Sequence, residues 1–117
     1  MTIGRYSSEG SDRSASKGDY YLSDAETELL TRVAAKFKKT VVVLNVGAVL
    51  DTEWIKDIPG IDSVLMAWQA GMEGGLATAD VLVGDVNPSG IRNSRCRNHI
   101  FSVYFDVYIV CFKSCVG

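Results

Sequence analysis

Residues 40–46 read TVVVLNV. The run is nearly continuous in apolar, β-branched side chains, without the alternation that marks a strand with one wet face. Such a run predicts a strand buried on both sides, as in a parallel sheet covered by helices. Upstream, Ser23-Asp24-Ala25-Glu26 has the form of a capping box: Ser23 caps a helix and Glu26 bonds back to it. Ala25, Leu29, Val33 and Phe37 follow at helical spacing, with Leu30 and Ala34 widening the stripe, and Lys36, Lys38 and Lys39 suit the helix C-terminus. Downstream, Gly47 ends the strand and DTEWIKDI predicts a short helix from near Asp51. Pro59-Gly60 marks a turn, and DSVLMAW, residues 62–68, is a second buried strand. GMEGGLATADVLVG predicts a helix from around Glu73 to Gly84, before a turn at Asn87-Pro88-Ser89-Gly90. The opening MTIGR reads as the end of a further strand. Strand, helix, strand, helix with apolar strands argues for an α/β fold on a mostly parallel sheet.

The chain has 117 residues, a formal net charge of −2 and a pI near 5.3, a balance that speaks against a nucleic-acid binder. Hydrophobic residues make up 47% and mean hydropathy is +0.11, so the chain as a whole does not read as disordered. No signal peptide is visible, and the apolar run from Ile100 to Phe112 is too short to span a bilayer. Neither membrane nor nucleic acid is expected as a partner, and the compartment is not legible. Charge is uneven along the chain. Residues 1–91 hold 8 basic and 13 acidic side chains, residues 92–117 hold 4 and 1. Cys96, Cys111, Cys115 and the single His99 all lie in that second stretch, with no metal-type spacing, so no metal or cofactor is expected. FSVYFDVYIVCF within it is β-prone. These shifts predict a seam near residue 91.

In parallel sheets, ligands meet the loops at the carboxyl ends of strands. YSSEGSDR follows MTIGR directly, which puts Glu9 at that edge. A glutamate there can act as a general acid/base when its surroundings raise its pKa; read on its own, a loop glutamate is by default solvated. Asp12-Arg13 is better read as a staple holding the loop than as a substrate contact. GMEGG could cradle an anion at a helix N-terminus, but it matches neither GxGxxG nor a P-loop. Glycines allowing close helix–strand approach are the simpler reading. Trp54 and Trp68 have the surface to stack on a sugar or base, with core packing the default for both. Lys38-Lys39 reads as a solvated helix end.

Taken in order, GRYSSEGSDR, GDYYLSDAETELL, KTVVVLNVGAVLDTEWI and IDSVLMAWQAGMEGGLATADVLVGDVNPSG closely resemble the C-terminal α/β-sandwich domain of glycoside hydrolase family 3, the β-glucosidase family. The resemblance covers residues 2 to about 90 and is most specific in AWQAGMEGG and ADVLVGDVNPSG. It implies an α/β three-layer sandwich, incomplete because the family's sheet has more strands than these residues supply. It also implies hydrolysis of terminal β-linked glucose or related sugars with retention. In the family the nucleophile is an aspartate on a preceding barrel domain. The acid/base glutamate, in many members, lies in a Ser-Gly-Glu-Gly loop of the sandwich domain. Here that loop is Ser7-Ser8-Glu9-Gly10, so the resemblance places Glu9 on the acid/base position. Ser8 departs from the usual glycine, and a serine disfavours positive φ.

After Gly90 the sequence IRNSRCRNHIFSVYFDVYIVC leaves the family pattern, as a shifted reading frame would make it do. The expected organisation is therefore a partial family 3 C-terminal domain over residues 1–91 and a non-family tail over 92–117. The expected function is that of a fragment of a retaining β-glucosidase-like enzyme: it carries the acid/base loop, lacks the nucleophile's barrel and is inactive alone. Its partners would be a β-glucoside or related oligosaccharide in the complete enzyme and the missing barrel domain. The alternatives are a non-catalytic binding or interaction module of the same fold, and a phosphate-binding domain using GMEGG.

Overall fold

The computed structural model describes residues 1–6, 13–86, 100–103 and 108–112. Five strands form one sheet: β1 (Thr2–Arg5), β2 (Val41–Val46), β3 (Ser63–Met66), β4 (Ile100–Val103) and β5 (Tyr108–Phe112), in the order β1-β2-β3-β5-β4. Three helices accompany them: α1 (Asp24–Lys36), α2 (Trp54–Asp57) and α3 (Gly74–Val83). The first three strands are parallel, with Val43 beside Thr2 on one side and Leu65 on the other. β5 runs antiparallel to β3, and β4 antiparallel to β5. The stretch FSVYFDVYIVCF thus contributes two strands beyond β3. The Asp62 carboxylate ties the starts of β2 and β3 by accepting the Thr40 amide at 2.6 Å.

Alternate residues of the strands feed two separate cores, one on each face of the sheet. On one face Ile3, Val42, Leu44, Val46, Val64 and Met66 meet Leu30 and Ala34 of α1 and Trp54 and Ile58 of and beside α2. On the other, Val43, Leu65 and Ala67 meet only Ala77 and Val81 of α3. Two helices on one face and one on the other make the three-layer α/β sandwich that the apolar strands predict.

The helix boundaries follow the local chemistry. Ser23 caps α1, with its hydroxyl accepting the Glu26 amide at 3.2 Å and the Glu26 carboxylate accepting the Ser23 amide at 2.8 Å. α3 runs from its N-cap Glu73 to a left-handed Gly84 (φ 87°), which stops it. The short helix begins at Trp54, not near Asp51, because the Asp51 carboxylate accepts the Glu53 amide and holds a turn before it.

The inner face of α1 differs from the expected stripe. Leu30 and Ala34 are buried, whereas Leu29 and Phe37 are 51% and 60% exposed and Ala25 faces solvent. The face that meets the sheet is the row Glu26, Leu30, Ala34, one residue round from the row Ala25, Leu29, Val33, Phe37. A charged residue therefore begins the inward row, and its partner explains why.

Candidate functional site

The parallel strands β1, β2 and β3 end together, and β1 leads through Arg5 and Tyr6 into the segment that contains Glu9. Glu9 itself, with the rest of Ser7-Ser8-Glu9-Gly10 and Asp12, lies outside the described residues. The chain on both sides of it is described and forms one polar cluster. Arg5 donates two hydrogen bonds to Glu26, Nη1 to Oε1 and Nη2 to Oε2, each at 2.6 Å. This bidentate fork is the strongest ordinary side-chain ion pair. Arg5 also donates through Nε to the Asp19 carbonyl at 3.1 Å.

From the other side of the segment, Arg13 donates through Nη1 to the same Asp19 carbonyl at 3.3 Å and to the Asp19 carboxylate at 2.7 Å. Asp19 in turn accepts the Ser14 amide at 2.7 Å and the Ser14 hydroxyl at 2.9 Å. The Ser14 bonds and then Arg13 hold its carboxyl below the usual carboxylate range. The fork from Arg5, helped by the amide and hydroxyl of Ser23 and opposed by burial, lowers Glu26 to about 2. The same bond raises Arg5 further above its ordinary value.

Arg13 thus staples the loop as expected, with Asp19 as its carboxylate. Its side chain is only 10% exposed, yet Nε and Nη2 have no hydrogen-bond partner among the described residues. Those two nitrogens form the side-on fork of a guanidinium, the edge that fits a two-pronged acceptor.

Trp54 is buried in the core, with Nε1 donating to the Asp51 carbonyl at 2.7 Å. Trp68 is half-buried at the carboxyl end of β3 and packs on the same core. Its φ of 50° is unusual for a bulky residue. The glycines of GMEGG do not serve close helix–strand approach. A Cβ on Gly71 or Gly75 would meet open space, and one on Gly74 would collide with Ala70 in the adjoining loop. The close approach is at Gly60, where a Cβ would lie 2.7 Å from the Ala34 carbonyl oxygen. The α3 N-terminus stands clear of the sheet, so its glycines have nothing to approach. Lys38 and Lys39 are exposed, as expected. His99, Cys96 and Cys115 lie outside the described residues. Among the described residues no helix is long and apolar enough to cross a membrane.

The pattern of sequence that carries this arrangement matches a known one: residues 1–94 fit the model of the glycosyl hydrolase family 3 C-terminal domain. The chain belongs to glycosyl hydrolase family 3. Beta-glucosidase A of Butyrivibrio fibrisolvens is 55% identical over 73 residues, which are 62% of this chain and 9% of that protein. A beta-glucosidase of Ruminococcus albus is 43% identical over 88 residues, 75% of this chain and 9% of that protein. Among solved structures, beta-glucosidase 3B of Thermotoga neapolitana, in complex with glucose, superposes with a TM-score of 0.70 at 46% identity. That match covers 75% of this chain and 13% of the enzyme. This chain spans about a tenth of the length of the family 3 relatives it matches. Within that tenth, the Arg5–Glu26 pair is the feature that pattern-reading passes over: Glu26 explains itself as a capping residue, and Arg5 is 21 positions away.

Proposed function

We propose that this chain is part of a retaining β-glucosidase and that Glu9 is its general acid/base. In a retaining mechanism one carboxyl group protonates the leaving oxygen and later activates water, while a second, about 5–5.5 Å away, attacks the sugar. The reading assigns the first role to Glu9 and places the nucleophile on the family's barrel domain. The observation that carries it is the family match over residues 1–94, in which Ser7-Ser8-Glu9-Gly10 follows a strand at the carboxyl edge of a parallel sheet. The match ends beside the change of charge near residue 91, which supports reading residues 92–117 as lying outside the domain's pattern. The substrate in the complete enzyme is a terminal β-linked glucoside or a related sugar.

The test uses a full-length family 3 β-glucosidase carrying residues 1–94 of this chain in place of its own matching segment. Glu9→Gln should slow hydrolysis of a β-glucoside with a poor leaving group by about 10²–10⁴-fold. It should spare formation of the glycosyl-enzyme from a substrate whose leaving group needs no proton. An undiminished rate on the poor leaving group would remove Glu9 from the role. The isolated 117-residue chain should not turn over aryl β-glucosides; turnover abolished by Glu9→Gln would refute the division of labour between domains.

A further inference from the structure

Glu9 stands four residues after Arg5 and four before Arg13, and these two arginines converge on one oxygen. Arg5 Nε and Arg13 Nη1 both donate to the carbonyl of Asp19, at 3.1 and 3.3 Å. Each arginine is also held by a carboxylate of its own: Arg5 by Glu26 on the inward row of α1, Arg13 by the side chain of Asp19. The side chains of both are largely buried, 8% and 10% exposed. We propose that Arg5 and Arg13 are positioning residues for Glu9, a clamp that fixes both ends of the intervening segment against a single backbone acceptor. The inference rests on the acid/base reading of Glu9.

Three features favour this over a plain surface staple. A surface ion pair is exposed and contributes about 0–1 kcal/mol, whereas these guanidinium groups are withdrawn from water. Their common acceptor is a main-chain carbonyl, so the distance between the two ends of the segment follows from backbone geometry. Finally, Arg13 is buried with its side-on fork unpartnered among the described residues, although buried polar donors left unpaired each cost roughly 1–3 kcal/mol. Pairing Asp19 uses one nitrogen and does not account for burying the rest of the group. Placement of the segment is the use that does. An acid that must meet a glycosidic oxygen is sensitive to such placement, since misplacement of about 1 Å can cost on the order of 10²-fold.

The same full-length enzyme carrying residues 1–94 separates this from the acid/base reading. With Glu9 intact, Arg13→Gln should lower kcat on the poor-leaving-group glucoside by about ten- to a hundredfold. It should change kcat by less than threefold on an activated substrate and leave KM for both nearly unchanged. Arg13→Lys, which keeps the charge and one donor, should recover part of the loss. Equal losses on both substrates, or none, would overturn the clamp while leaving the acid/base reading to stand on Glu9→Gln alone. If Glu9→Gln itself shows no dependence on leaving group, the underlying reading fails whatever Arg13 does. A second measurement uses the 117-residue chain itself. Arg13→Gln should speed amide hydrogen exchange between residues 6 and 12 at least tenfold, with α1 amides unchanged. Unchanged exchange in that segment would also overturn the clamp.

Discussion

The two faces of the sheet are built to different standards. The face under α1 and α2 is closed by Ile3, Val42, Leu44, Val46, Val64 and Met66 against two helices and the turn between them. The face under α3 is held by Val43, Leu65 and Ala67, and α3 has no fully buried residue of its own. Leu76 and Val83 on that helix are 66% and 70% exposed. A parallel sheet is ordinarily covered on both faces. The difference teaches that stability within these residues resides on one side, and that the apolar character of α3 is not spent on this sheet.

The sharpest way to break the comparison is to truncate a leucine on each side. Leu44→Ala, at a fully buried position of the closed face, should destabilise the chain by about 2–5 kcal/mol. Leu76→Ala on α3 should stay within about 0.5 kcal/mol. Urea unfolding of both variants measures this, and similar shifts would mean that α3 is held as firmly as α1.

A glycine pair asks the same question of the backbone. Gly60 has φ 89° and faces the Ala34 carbonyl, so Gly60→Ala should cost more than about 1 kcal/mol. Gly75 has open space around it, and Gly75→Ala should stabilise α3 by about 0.5–1 kcal/mol. Thermal melts that moved in the same direction for both would contradict the description of the two faces.

The smallest effect is electrostatic and belongs to the closed face. Glu26 is lowered to about 2 from a model value of 4.5. The folded carboxylate is the weaker base, so the unfolded chain binds its proton first. The stabilisation from the pair is therefore present above about 4.5 and lost as pH falls through about 2. The stability gap between the parent chain and Glu26→Gln should narrow across that window. A gap independent of pH would show that the fork with Arg5 works through packing and not through charge.

Much of the architecture was legible because it is written in local patterns. TVVVLNV and DSVLMAW announce strands through their apolar runs, and Ser23, Glu73 and Gly84 mark helix ends through their capping chemistry. What escaped was long-range. The inward row of α1 begins with a charge, so counting apolar residues placed the stripe on Leu29 and Phe37 instead of Leu30 and Ala34. Only the fold brings Arg5 to Glu26 and turns a polar position into an inner one. Likewise Gly60 and the GMEGG glycines look alike in sequence, and only the path of α1 distinguishes them. Glu9 was legible through the family resemblance alone, since a loop has no periodicity to betray a catalytic side chain.

The placement of α3 also bears on direction of travel. Successive parallel strands joined by right-handed crossovers march one way across a sheet while their helices stay on one face, and they reverse course when the helix changes face. β1, β2 and β3 march one way with α1 and α2 on a common side. α3 lies on the opposite side. A chain that kept the same handedness after α3 would turn back across β2 and lay its next parallel strand along the free edge of β1. β5 is antiparallel and lies at the other end, beside β3. The free edge of β1 is thus the vacant seat that the handedness of this fold points to.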